Sequence, residues 1–152
     1  MEMTWFERVE SVKAGAVGAL AAGFVFGLAT LVNELLASRF EPLAGLLTKM
    51  GDFDWLMSGA IALLSGFLFG ITYRYVIRQD PNPHLRSGAV LAFGLVRGLA
   101  QIDTGWTAQK ALLPFAVLGL ESLLLFVAAR LLLDWAFYQS WVKPFGMFGR
   151  DL

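Results

Sequence analysis

From Ala14 to Ala37 the chain is almost wholly apolar, and it carries no charge until Glu34. This run constrains the fold more than any other feature. A bilayer core is crossed by about 20 apolar helical residues, because lipid offers nothing to the backbone N–H and C=O groups. The run exceeds the roughly 7–15-residue core of a cleaved signal peptide. Its leading flank, Glu7-Arg8-Val9-Glu10, is mixed in charge instead of purely basic. It therefore predicts a retained membrane helix over 12–37. Further apolar stretches predict spans over 55–77, 85–102 and 111–137, the third being the shortest and most polar. None shows the charged face that a helix of a soluble bundle needs. The expected fold is an all-α integral membrane bundle of four transmembrane helices in a single domain, residues 1–152.

Composition agrees. Hydrophobic residues make up 57% and charged residues 16%, and the mean hydropathy is +0.63. A soluble domain needs more polar surface than this. Twelve basic residues balance twelve acidic ones, so no charge excess points to nucleic acid. The absence of cysteine excludes disulfides, thiolate metal sites and a cysteine nucleophile.

The breaks between spans are well marked. "RFEPLAGLLTKMGDFDW" follows the first, and its middle, Pro42 to Met50, suits a short interfacial helix with Lys49 facing water. "RQDPNPHLR" is a proline-bounded turn and "DTGWTAQK" a short link, with Pro114 in the first turn of the last span. In the tail "YQSWVKPFGMFGRDL", aromatic residues mix with Lys143 as in an interfacial anchor. Arg8, Lys13, Arg74, Arg78, Arg86, Arg130, Lys143 and Arg150 fall on the side of the termini, whereas Arg39, Lys49 and Lys110 fall on the other. The positive-inside rule then places both termini in the cytoplasm.

Glycines recur at i and i+4, at Gly23 and Gly27, Gly66 and Gly70, and Gly94 and Gly98. Such pairs make a flat groove against which a neighbouring backbone can lie closely, the main route to helix association in lipid. "GFVFG" and "GFLFG" should thus meet groove to groove near mid-membrane. "AGAV", "SGAI" and "SGAV" add a second echo, which suggests two duplicated helical hairpins.

Polar residues inside the spans are the candidate site. Arg97 lies roughly 12 Å below Gly105, and Glu121 roughly 16 Å below Lys110, at a helical rise of about 1.5 Å per residue. An Arg97–Glu121 ion pair is predicted, with Gln101 one turn above Arg97. It reads either as a structural or partner-holding clamp or as part of a solute path. Asn33, Glu34 and Asp103 form an outer polar rim. Arg74, Arg78 and Arg130 sit at the cytoplasmic rim, within reach of lipid headgroups or a partner. The serines Ser58, Ser65, Ser87 and Ser122 read as packing residues. His84 stands alone among the histidines, with no second ligand to hold a metal.

No catalytic motif is present, so no enzyme activity and no cofactor beyond lipid is expected. "NELLASR" has the residue types of a light-harvesting chlorophyll helix but not their spacing, so pigment is not supported. The stretch "WLMSGAIALLSGFLFGITYRYVIRQDPNPHLRSGAVLAFGLVRGLAQID" resembles a segment of the small, uncharacterised four-span membrane proteins of cyanobacteria, with "WVKPFG" as a weaker echo. The resemblance implies a thylakoid or plasma membrane and brings no activity with it. Short loops and the absence of a large soluble part suit an accessory subunit or assembly factor with membrane-protein partners. The alternative is a small oligomeric transporter or channel for an ion or small solute.

Overall fold

The computed structural model describes residues 5–39, 52–78, 82–106 and 112–146. They form four helices: α1 (Trp5–Ala37), α2 (Asp52–Ile77), α3 (Pro83–Trp106) and α4 (Leu112–Tyr138). The proposed interfacial segment Pro42–Met50 and Lys110 lie outside the described residues. α3 runs further than the sequence suggests, taking Asp103 to Trp106 into the helix.

Helix ends follow from local chemistry. Asn82 caps α3, its Oδ1 accepting the His84 N–H at 3.0 Å, and Pro83 takes the first helical position, where a missing N–H costs nothing. α4 ends in a Schellman turn. Ser140 adopts φ 59°, the Ser140 N–H bonds to the Phe137 carbonyl at 3.1 Å, and the Trp141 N–H bonds to the Ala136 carbonyl at 3.0 Å. Trp141 then packs edge-on against Trp135, with centroids 4.8 Å apart. This is the apolar contact that accompanies such caps.

α1 and α2 form one closely packed hairpin and α3 and α4 another. α1 also lies along α4, while α2 touches α3 and α4 less extensively. The α1–α2 seam is backbone on backbone. A Cβ at Gly18 or Gly70 would run into the carbonyl oxygen of Gly66 or Ala14, and one at Gly66 into Ala22. Ala14, Gly18 and Ala22 thus face Gly66 and Gly70, a small-residue seam of the kind that holds helices together in lipid. Gly23 and Gly27 do not form the groove that their spacing suggests. Gly23 lies under the Leu63 side chain, and a Cβ at Gly27 would meet no neighbouring helix within 4 Å. In the other hairpin Gly94 lies under Leu123, and a Cβ at Gly98 would come within 3.2 Å of the Gly119 Cα.

The interior between the hairpins is aromatic. Phe69 packs on Phe126 (5.2 Å), Tyr73 (5.3 Å) and Phe93 (5.4 Å). Phe69, Tyr73, Phe126 and Leu133 are fully enclosed. The outer surface is apolar: Leu20, Phe24, Leu64, Val96, Leu99, Leu120 and Leu131 are all exposed, while Glu7, Glu10, Ser11 and Arg74 are buried. Water would favour the opposite distribution. Among the described residues, three helical segments are long and apolar enough to cross a membrane: α1, Phe53–Ile77 of α2, and Ala116–Tyr138 of α4. α3, with Arg86, Arg97 and Asp103 along it, falls short of that measure.

Candidate functional site

Polar side chains gather in three places. The first joins the start of α1, the end of α2 and the C-terminal tail. Arg74 is fully enclosed. Its Nη2 meets the Glu7 carboxylate. Its Nη1 donates to Ser11 Oγ at 2.8 Å and to the Glu7 carbonyl at 3.1 Å, and its Nε donates to the Lys143 carbonyl at 2.8 Å. Glu10 Oε2 accepts the Lys143 N–H at 2.8 Å, and Glu7 Oε1 accepts the Gly146 N–H at 3.1 Å. Phe145 closes the node, with its ring centroid 4.7 Å from that of Tyr75.

Arg74 therefore does not reach out to lipid headgroups, as the sequence reading has it. A guanidinium fork needs several oxygen acceptors. Glu7, Ser11 and the tail supply them inside the protein, so each guanidinium nitrogen has an acceptor despite burial. The tail is correspondingly more than an interfacial anchor. Trp141 and Tyr138 are exposed, whereas Val142 is buried and the backbone of Lys143 and Gly146 is held by α1 and α2. Arg78 is exposed, its guanidinium 5.4 Å from the Phe145 ring centroid.

The second node lies beside the first, among α2, α3 and α4. Asp134 Oδ1 accepts from Tyr73 at 2.7 Å and from Arg86 Nη1 at 3.2 Å. Arg130 Nε stands 3.6 Å from Asp134 Oδ2, and Arg130 Nη1 reaches Ser87 Oγ at 3.4 Å. Arg130 is thus engaged within the bundle as well as part-exposed. The sequence reading gives neither Tyr73 nor Asp134 a role. Their signal is positional: Asp134 lies four residues beyond Arg130 on one helix face, and Tyr73 directly precedes the buried arginine.

The third place is deeper. Glu121 on α4 has the Asn33 side chain of α1 beside it, and the Arg97 charge acts on it across a longer gap. The predicted ion pair is not formed. Among the described residues, the pairs within 4.0 Å are Lys13–Glu10, Arg74–Glu7, Arg86–Asp134 and Arg130–Asp134. Gln101 does not assist Arg97 either. Its Oε1 accepts from Ser122 Oγ at 2.6 Å, joining α3 to α4. The reason is rotational. Gly94 and Gly98 bring α3 close to α4, which turns Gln101 onto Ser122 and leaves Arg97 to one side. The outer rim also divides, since Asn33 turns inward, with its buried Oδ1 unbonded, while Glu34 is exposed. Asp103 lies in α3, with its side chain outside the described residues. No group of three or more potential metal ligands occurs among the described residues, and His84 is exposed.

No protein-family model, curated protein or solved structure matches the chain.

Proposed function

We propose that this chain is a non-enzymatic, four-span integral membrane protein with cytoplasmic termini, acting as an accessory subunit or assembly factor of a larger membrane complex. The state of Arg97 carries the reading. Two polar nodes at one end are satisfied largely from within the chain, yet Arg97 and Glu121 have no ion-pair partner within 4.0 Å among the described residues. An intramembrane charge on its own costs about 2.5–3.5 kcal/mol on insertion scales. A polar group from a neighbouring membrane protein would offset that cost.

A fourth span is supported by how α3 is turned. Leu91, Leu95, Val96 and Leu99 face outward, whereas Gln101 bonds to α4. The end that carries Arg74, Arg86 and Arg130 also carries exposed Trp135, Tyr138 and Trp141, a mixture suited to a cytoplasmic interface. A photosynthetic membrane follows from the cyanobacterial resemblance alone.

The second reading, a small oligomeric transporter, draws on the same Asn33, Arg97 and Glu121. Against it stands the Phe69, Phe93 and Phe126 cluster, which fills the interior between this region and the polar end. Native electrophoresis of gently solubilised membranes, with mass spectrometry of what co-migrates, tests the proposal. Migration in a large complex is the expected result. Migration alone as a small homo-oligomer would favour transport.

A further inference from the structure

The second polar node has donor capacity to spare. Arg86 and Arg130 converge on one carboxylate, Asp134, which Tyr73 already engages. One positive charge is left over. The Nε atoms of both arginines are buried and lack a hydrogen-bond partner, while the side chains as a whole remain part-exposed, at 34% and 28%. Arg86 also stands in the first turn of α3, where the helix dipole favours an anion. Exposed Trp135, Tyr138 and Trp141, adjoining Asp134 in the chain, set this node at the depth where lipid headgroups lie.

We propose that Arg86 and Arg130 bind one phosphate group between α3 and α4, and that its source is an anionic phospholipid of the surrounding leaflet. The inference rests on the membrane-embedded reading but is independent of whether the chain has protein partners. Guanidinium forks bind phosphate oxygens in pairs, which a single lysine does not reproduce. Asp134 orients both arginines. Tyr73 in turn holds Asp134. The site is therefore built by α2 and α4 as well as α3, unlike a diffuse basic rim.

The test uses the purified full-length chain. Alkaline carbonate extraction of its membranes comes first: release into the supernatant would contradict the membrane reading and the site with it. The retained protein is then delipidated in mild detergent and offered equal amounts of phosphatidylglycerol and phosphatidylcholine. Native mass spectrometry should show one phosphatidylglycerol held in preference. Arg86→Gln and Arg130→Gln should each weaken its retention about tenfold, as loss of a charge-assisted contact implies, and Arg130→Lys should weaken it less. Arg8→Gln, a change at an exposed arginine of the same end, should leave retention unaltered. Thermal unfolding of each variant separates lost binding from lost fold, and the wild-type lipid preference stands whether or not the variants fold. Equal retention of both lipids would overturn the site. Stabilisation by inorganic phosphate without any preference for phosphatidylglycerol would assign the site to a free anion and overturn the lipid assignment.

Discussion

Two of the arginines that interrupt apolar helices in this protein, Arg74 and Arg97, have opposite surroundings. Arg74 is enclosed and bonded to Glu7, Ser11 and the Lys143 carbonyl. Arg97 is half-buried, with the Glu121 charge acting on it only from a distance. The sequence treats them in reverse, with Arg74 at a lipid rim and Arg97 in an ion pair. Depth along a helix thus says where a charge lies but not what satisfies it. A charge satisfied within its own chain belongs to the architecture, whereas one left open in the membrane is available to something else.

Five substitutions test this contrast. Arg74→Ala should be the most damaging, because it takes the counter-charge from the buried Glu7 carboxylate and unfastens the tail. A loss of about 3–5 kcal/mol is expected, as for one partner removed from a buried pair, read as denaturant unfolding in detergent or as lost abundance. A loss under about 1 kcal/mol would mean that Glu7 and Arg74 are solvated rather than paired. Gly66→Val comes next. It pushes a side chain into Gly18 and Ala22 and should cost about 1–3 kcal/mol, whereas Gly27→Val should fall within about 0.5 kcal/mol. Equal effects at the two glycines would place the α1–α2 seam elsewhere. Tyr73→Phe removes a donor from Asp134 inside the bundle and should cost about 1–2 kcal/mol by the same unfolding assay. Smallest is Ser140→Gly, which relieves a left-handed backbone and should stabilise by up to about 1 kcal/mol. A destabilised glycine variant would show that the Ser140 side chain has a role at this cap.

These contrasts also show what the sequence reveals. Helix positions are legible because lipid forces long apolar runs. The seam residues Gly66, Gly70, Gly94 and Gly98 are legible because helices approach closely only where side chains are small. α1, however, has small residues on more than one face, and spacing alone does not choose Gly18 with Ala14 and Ala22 over Gly23 with Gly27. The Arg74 node is illegible for a related reason. Its acceptors come from the start of α1 and from a tail 69 residues further along the chain, so no local pattern announces it. The Gln101–Ser122 bond depends on the rotation of α3 against α4, which the two glycines permit but do not specify.

The most direct test compares Arg97→Ala with wild type on native gels of gently solubilised membranes, with detergent unfolding measured on the same samples. Wild type is expected to migrate in a large complex. The variant should keep its abundance and its unfolding midpoint but leave that complex. An Arg97→Ala chain that unfolds as readily as Arg74→Ala would make Arg97 part of the architecture. A folded variant that stays in the complex would remove Arg97 from the partner contact.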